Sequence, residues 1–243
     1  MLLRVFLIYI NIFDRKIRFC VKNKQLQILA FKIIGFFVKT YSLLLGLFVS
    51  FGVLAHPHAF IDIQTTPIIE NNQLTGFSMK WTLDEPSSSA VIYDMKQART
   101  KAEKQKLLDD VMGNIVSEHY FSYLYDAQNN KIKYSPRPKN YGINVQGLQL
   151  QYYFDVPLAH PQKLEKNTFS LQTYDPTYYV AMTYASKSAV DFSALSKNCQ
   201  GKLIEPNVDE KIQAYASSLD KSQKNEDDSL GVMFAQKIII QCE

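Results

Sequence analysis

The stretch Leu148-Gln149-Leu150-Gln151-Tyr152-Tyr153-Phe154-Asp155-Val156 alternates large apolar and mostly polar residues for nine positions. A period of two puts every second side chain on one face, which is the signature of a strand with one face buried and the other wet. Phe77, Met79, Trp81 and Leu83 repeat the pattern against Ser78, Lys80 and Thr82. So do Phe169 and Leu171, then Val180, Met182 and Tyr184, then Ile238, Ile240 and Cys242. Asn71-Asn72-Gln73 and Asn129-Asn130-Lys131 stand between such runs and read as hairpin turns, because Asn tolerates the left-handed backbone these turns need.

Two segments switch to the helical period. Leu108, Val111, Met112, Ile115 and His119 share one helical face, which makes His119 a core histidine. Val208, Ile212, Tyr215, Ala216 and Leu219 share another, entered through Asn207 after Pro206. A shorter helix is expected from Pro86. Ser135–Asn140 and Ser217–Ser229 read as solvated loops. The order of strands, helical insertion, strands, helix and last strand predicts an α+β domain: an antiparallel, sandwich-like sheet structure with a C-terminal helix and strand.

Charge divides the chain. Of its 243 residues, 27 are Lys or Arg and 23 Asp or Glu, but eight of the basic residues and only one acid, Asp14, lie in residues 1–55. Residues 56–243 therefore carry 19 basic and 22 acidic groups, a net charge of −3. A nucleic-acid binder needs a basic folded face, so that class is excluded. There is no Gly-rich phosphate loop for a nucleotide, and no nucleophile or His-Glu-x-x-His motif, so nothing marks an enzyme.

Residues 41–55, YSLLLGLFVSFGVLA, are uncharged and follow Lys32 and Lys39. As a helix they would span about 22 Å, short of the roughly 30 Å hydrocarbon core. With small or β-branched Val53 and Ala55 at the end, the pattern predicts a signal peptide over 1–55 cleaved after Ala55, and a periplasmic domain over 56–243. The alternative is an uncleaved anchor in the inner membrane. Initiation near Val21 would give a leader of more ordinary length. Cys20 goes with the leader, and the remaining pair, Cys199 and Cys242, predicts one disulfide in an oxidising compartment.

Two of the four histidines form His56-Pro57-His58 at the expected mature terminus. Cleavage gives His56 a free α-amine beside its imidazole; these titrate near about 7.7–8.0 and 6.5, so both can be neutral ligands around pH 7. In an extended chain His58 points to the same face about 6.6 Å further on. Pro57 has no amide hydrogen, which blocks the square amide-nitrogen chelate of Cu(II). Neutral nitrogens plus a carboxylate suit zinc, with nickel, cobalt or copper as alternatives.

The candidate carboxylates are Asp84 and Glu85, which return beside His58 if the Trp81 strand pairs with strand 58–66, and Asp175, in a turn. Asp84 equally suits a helix cap, and Asp175 equally suits shaping its turn. Asp62, Trp81 and Tyr174 are expected behind the ligands. His160 reads as a loop residue.

The motifs His56-Pro57-His58-Ala59-Phe60-Ile61-Asp62, Trp81-Thr82-Leu83-Asp84-Glu85 and Tyr174-Asp175-Pro176-Thr177-Tyr178, with the two late cysteines, resemble a bacterial periplasmic family of formally unknown function. Its members are described as periplasmic components of an uncharacterised ABC-type transport system. The chain is most similar to the ZevA-like branch, the periplasmic halves of zinc-uptake pairs. The resemblance implies a metal-handling protein that works with an inner-membrane permease of the nickel/cobalt-transporter type. The rival expectations are a copper oxidase with an N-terminal histidine brace completed by His119 or His160, and an accessory domain without metal.

Overall fold

The ladder that organises the chain starts at the first hairpin. The structure, a computed structural model, describes residues 57–218 and 229–243. The expected leader, His56 and residues 219–228 lie outside them. Strand β1 (Ala59–Glu70) turns through Asn71-Asn72 into β2 (Gln73–Leu83), with Glu70 opposite Gln73. Both asparagines have positive φ, 50° and 59°. This is the two-residue turn whose twist matches a hairpin.

Two helices follow: α1 (Glu85–Gln97) and α2 (Lys101–Ser117). Then come β3 (Ser122–Tyr125), β4 (Lys131–Ile132), β5 (Lys139–Gln146), β6 (Gln149–Lys163), β7 (Thr168–Thr173), β8 (Val180–Thr183) and β9 (Cys199–Ile204). Helices α3 (Glu210–Ser218) and α4 (Leu230–Phe234) precede the last strand, β10 (Lys237–Cys242).

The strands form two five-stranded sheets, β5-β6-β2-β1-β8 and β4-β3-β7-β10-β9. Alternation works as read: in β6, Tyr152, Phe154, Val156 and Leu158 are buried and their neighbours are not. The inner faces of both sheets, with Ile63, Phe77, Met79 and Trp81 from one and Leu124, Phe169, Leu171 and Ile238 from the other, enter one core. The segment after β4 ties the layers at one edge: Ser135 N donates to Pro157 O at 2.8 Å and Lys133 O accepts from Ala159 N at 2.9 Å. The architecture is a sandwich-like α+β domain whose strands pair antiparallel except that β8 runs parallel to β1, continued by an isolated parallel bridge between Thr65 and Val190.

Leu148, expected in the strand, sits instead in the turn between β5 and β6 and is 65% exposed. Gly147, with φ +62°, supplies the left-handed position that forces the reversal there. His119 is likewise not a core residue. Helix α2 ends at Ser117, and His119, Tyr120 and Phe121 follow with positive φ. This left-handed turn exposes His119 and buries Tyr120, whose hydroxyl donates to Ser135 O at 2.7 Å. Burial pushes the Tyr120 phenol up to about 12.

Local capping fixes the helices. Thr100 and Glu103 form a reciprocal capping box at α2, which buries Leu108, Met112 and Ile115 in the main core. Ser88 in α1 is fully buried and bridges two strands: its Oγ donates to Leu83 O at 3.1 Å and accepts from Leu150 N at 2.9 Å. Asp209, rather than the expected Asn207, caps α3 by accepting from Ile212 N at 2.9 Å. Ala216 and Leu230 form a small separate core with Tyr178, Ile212 and Phe234.

Beyond the end of β8, buried Gln236 imitates a strand partner. Its Oε1 accepts from Tyr184 N at 2.6 Å and its Nε2 donates to Tyr184 O at 3.0 Å and to both Glu205 carboxylate oxygens. Cys199 and Cys242 face each other across β9 and β10 and are joined by the disulfide, with Cα atoms 4.0 Å apart.

Candidate functional site

Strand direction decides which candidate residues meet. In the first sheet, the start of β1, the end of β2 and the start of β8 lie at the same end, because β2 is antiparallel and β8 parallel to β1. That end holds His58, Asp84, Glu85 and the turn 174–179.

His58 is half-buried. Its backbone N–H donates to Tyr179 O at 2.9 Å, and its ring lies 4.9 Å from the Tyr179 ring at 56°. The imidazole Nε2 is shielded from solvent. Phe60, two residues on, is 55% exposed on the opposite face from half-buried Ile61 and buried Ile63.

Asp84 returns beside this strand, as the hairpin reading requires, and also caps α1. Its Oδ2 accepts from Phe60 N at 2.9 Å and its Oδ1 from Ser87 N at 2.8 Å. Burial raises its carboxyl, but the hydrogen bonds from Ser87 and Phe60 outweigh that and hold it below its ordinary value. Glu85 is exposed as the first residue of α1, where a carboxylate also suits the helix dipole.

Asp175 is 8% exposed and organises its own turn. One oxygen accepts from Thr177 N and Thr177 Oγ1, at 2.9 and 2.8 Å, and the other from Val180 N at 3.0 Å. A Cβ on Gly231 would lie 1.8 Å from Asp175 O, so the bare backbone of α4 packs directly on this turn.

The residues expected behind the ligands divide. Asp62 is exposed on the outer face, opposite Thr82 and Thr183. Trp81 faces inward, 3% exposed, edge-on to Phe154 at 4.9 Å. Tyr174 stacks on Tyr123 at 4.5 Å. Burial, with Tyr123 and Tyr125 nearby, pushes its phenol up to about 12, so it stays neutral at physiological pH.

His119 lines a hollow with Lys131 and Tyr134, and His160 lies in the last residues of β6, toward the end that pairs with Gln73 and Leu74. The second-sheet cysteines are committed to their disulfide. Among the described residues no three His, Cys, Asp or Glu side chains converge tightly enough to hold a metal ion. His56 lies outside the described residues.

Sequence reasoning missed Tyr179 as the neighbour of His58. The pair depends on the parallel β1–β8 pairing, for which the only local signal is the short apolar run at Val180–Met182.

The chain matches the family described as "Protein of unknown function (DUF1007)" over residues 41–242. It is also 99% identical over 206 residues, 85% of this chain and all of the other, to an "Uncharacterized protein" of Haemophilus influenzae (strain ATCC 51907 / DSM 11121 / KW20 / Rd). With the match running from the apolar segment to the last disulfide cysteine, the chain belongs to the DUF1007 family of proteins of unknown function.

Proposed function

We propose that the protein is a periplasmic zinc carrier, similar to the ZevA-like branch, that captures Zn²⁺ at its mature N-terminus and hands it to an inner-membrane permease of the nickel/cobalt-transporter type. The observation that carries this reading is the seat of His58. Its backbone is pinned to Tyr179 and its ring is wedged against the same residue, at the sheet end where Asp84 and Glu85 return. An ordered imidazole loses less freedom on binding an ion than a solvated one does.

In this reading the donors are the His56 amine and ring, His58 and the exposed carboxylate of Glu85. Asp84 and Asp175 build the site rather than close it, because each already spends both oxygens on the backbone. A site whose last donors come from the end of the chain suits a carrier, which must release its cargo as well as bind it. The copper-brace alternative gains nothing from His160, which lies toward the other end of the sheet.

The test is a zinc titration of residues 56–243 beside the same protein with one Ala placed ahead of His56. The extension keeps both imidazoles but moves the α-amine out of the chelate. Tight 1:1 binding that weakens with the extension supports the terminal site. Binding indifferent to it moves the site elsewhere, and no binding of zinc, nickel, cobalt or copper at micromolar concentration ends the metal reading.

A further inference from the structure

Helix α2 carries a glycine in its interior, Gly113, which is exposed, and a Cβ built there would meet nothing within 4 Å. Glycine is the poorest helix former after proline, and no packing within the chain requires it here. Its place explains it better. A hollow of about 350 Å³ runs over Met112, Gly113 and Val116 on one side and Pro136, Arg137 and Pro138 on the other. A second, of about 380 Å³, continues past Val116 and Pro136 to Tyr120, Tyr134 and Lys133. The shared residues make one trough along the helix, with an apolar floor.

The rim is basic in a domain that is otherwise mildly acidic. Lys131, Lys133 and His119 border one hollow and Arg137 the other. His119 and Lys133 lie near the C-terminal end of α2, whose carbonyls cations complement, but Arg137 stands beside Gly113, further up the helix. Neither Arg137 nor Lys133 has a carboxylate partner among the described residues. Asp109, which closes the far end, already accepts from Tyr141 Oη and Gln105 Nε2.

We infer that this trough is a docking site for an extended acidic and apolar segment of a partner protein, with Gly113 left bare so that the partner's backbone can approach the helix. The test uses the whole mature chain and a fluorescein-labelled decapeptide of alternating Leu and Glu, beside its Leu/Lys counterpart, read by anisotropy. Saturable binding of the Glu peptide alone is expected. It should weaken about tenfold or more in Gly113→Leu and in the double variant Lys133→Glu, Arg137→Glu, and fall as salt rises. Gly113→Ala should raise the melting temperature by a few degrees, on the order of 2–4 °C, while weakening the peptide. The inference is overturned if neither peptide binds saturably, if the Lys peptide binds equally, or if the charge reversal leaves affinity unchanged. That double variant changes surface residues only, so it decides the matter even if Gly113→Leu fails to fold.

Discussion

Phe60 and Asp84 are joined twice, Asp84 N donating to Phe60 O at 3.0 Å and Phe60 N to Asp84 Oδ2 at 2.9 Å, while the other carboxylate oxygen caps α1 by accepting from Ser87 N. One side chain thus fixes the start of β1, the end of β2 and the first turn of the helical insertion. Replacing Asp84 by Ala removes a helix cap and leaves Phe60 N without its acceptor. A loss of about 2 kcal/mol is expected in urea unfolding.

The same residue gives a pH signature. Its folded-state pKa is below the ordinary 3.8, so its contribution is complete above about pH 4 and is lost as the pH falls through the lowered value. The stability difference between wild type and Asp84→Asn should therefore be constant from pH 7 to about 5 and shrink toward pH 3. A gap that grows on acidification would contradict the assignment.

Zinc affinity should separate donors from builders. His58→Ala and Glu85→Gln are expected to weaken zinc tenfold or more, about 1.4 kcal/mol, with near-native melting. Asp175→Asn should act mainly on stability, because Val180 N and the Thr177 groups need that carboxylate. Isothermal titration beside thermal melts checks both, and the reverse ranking would move the carboxylate ligand to Asp175.

Gly231→Ala should be severe for a small change. The new methyl would collide with Asp175 O, a backbone atom that cannot swing aside. An overpacking cost of about 1–3 kcal/mol is expected, together with weaker zinc binding, since the displaced turn carries Tyr179 and hence the seat of His58. Near-native melting would show that α4 does not clamp the turn.

Two further contacts hold the last strand. Reducing the Cys199–Cys242 bond, which spans 43 residues, should cost about 3–4 kcal/mol on loop-closure entropy. Gln236→Leu leaves the Tyr184 N–H and C=O without their partner in a buried place, for about 2–3 kcal/mol. Denaturant midpoints of the oxidised, reduced and Gln236→Leu proteins check both.

The strands, the Asn71-Asn72 hairpin and the disulfide were legible because each depends on residue type: side-chain alternation, asparagine's tolerance of positive φ, and a pair of cysteines after the expected leader. Asp84 was legible in both its roles, cap and neighbour of β1, because the hairpin fixes its register. Leu148 was misread because alternation alone does not show where a strand stops; Gly147 marks the turn only once its positive φ is known. The left-handed His119-Tyr120-Phe121 turn had no signal at all, since none of the three is glycine or asparagine and the buried Tyr120 holds it by tertiary contacts.

By itself the sequence determined the periodicities, the class of fold, the charge division and the pair of histidines beside an apolar segment. All of these are written in residue type and spacing. Only the tertiary structure decided that β8 runs parallel to β1, so that Tyr179 braces His58, and that Asp175 and Gly231 meet. It also decided that a bare stretch of α2 faces a basic rim. Those relations join residues tens to over a hundred positions apart, and they are settled by which sheet edges and core faces satisfy their hydrogen bonds and bury their apolar area together, a balance no local pattern encodes.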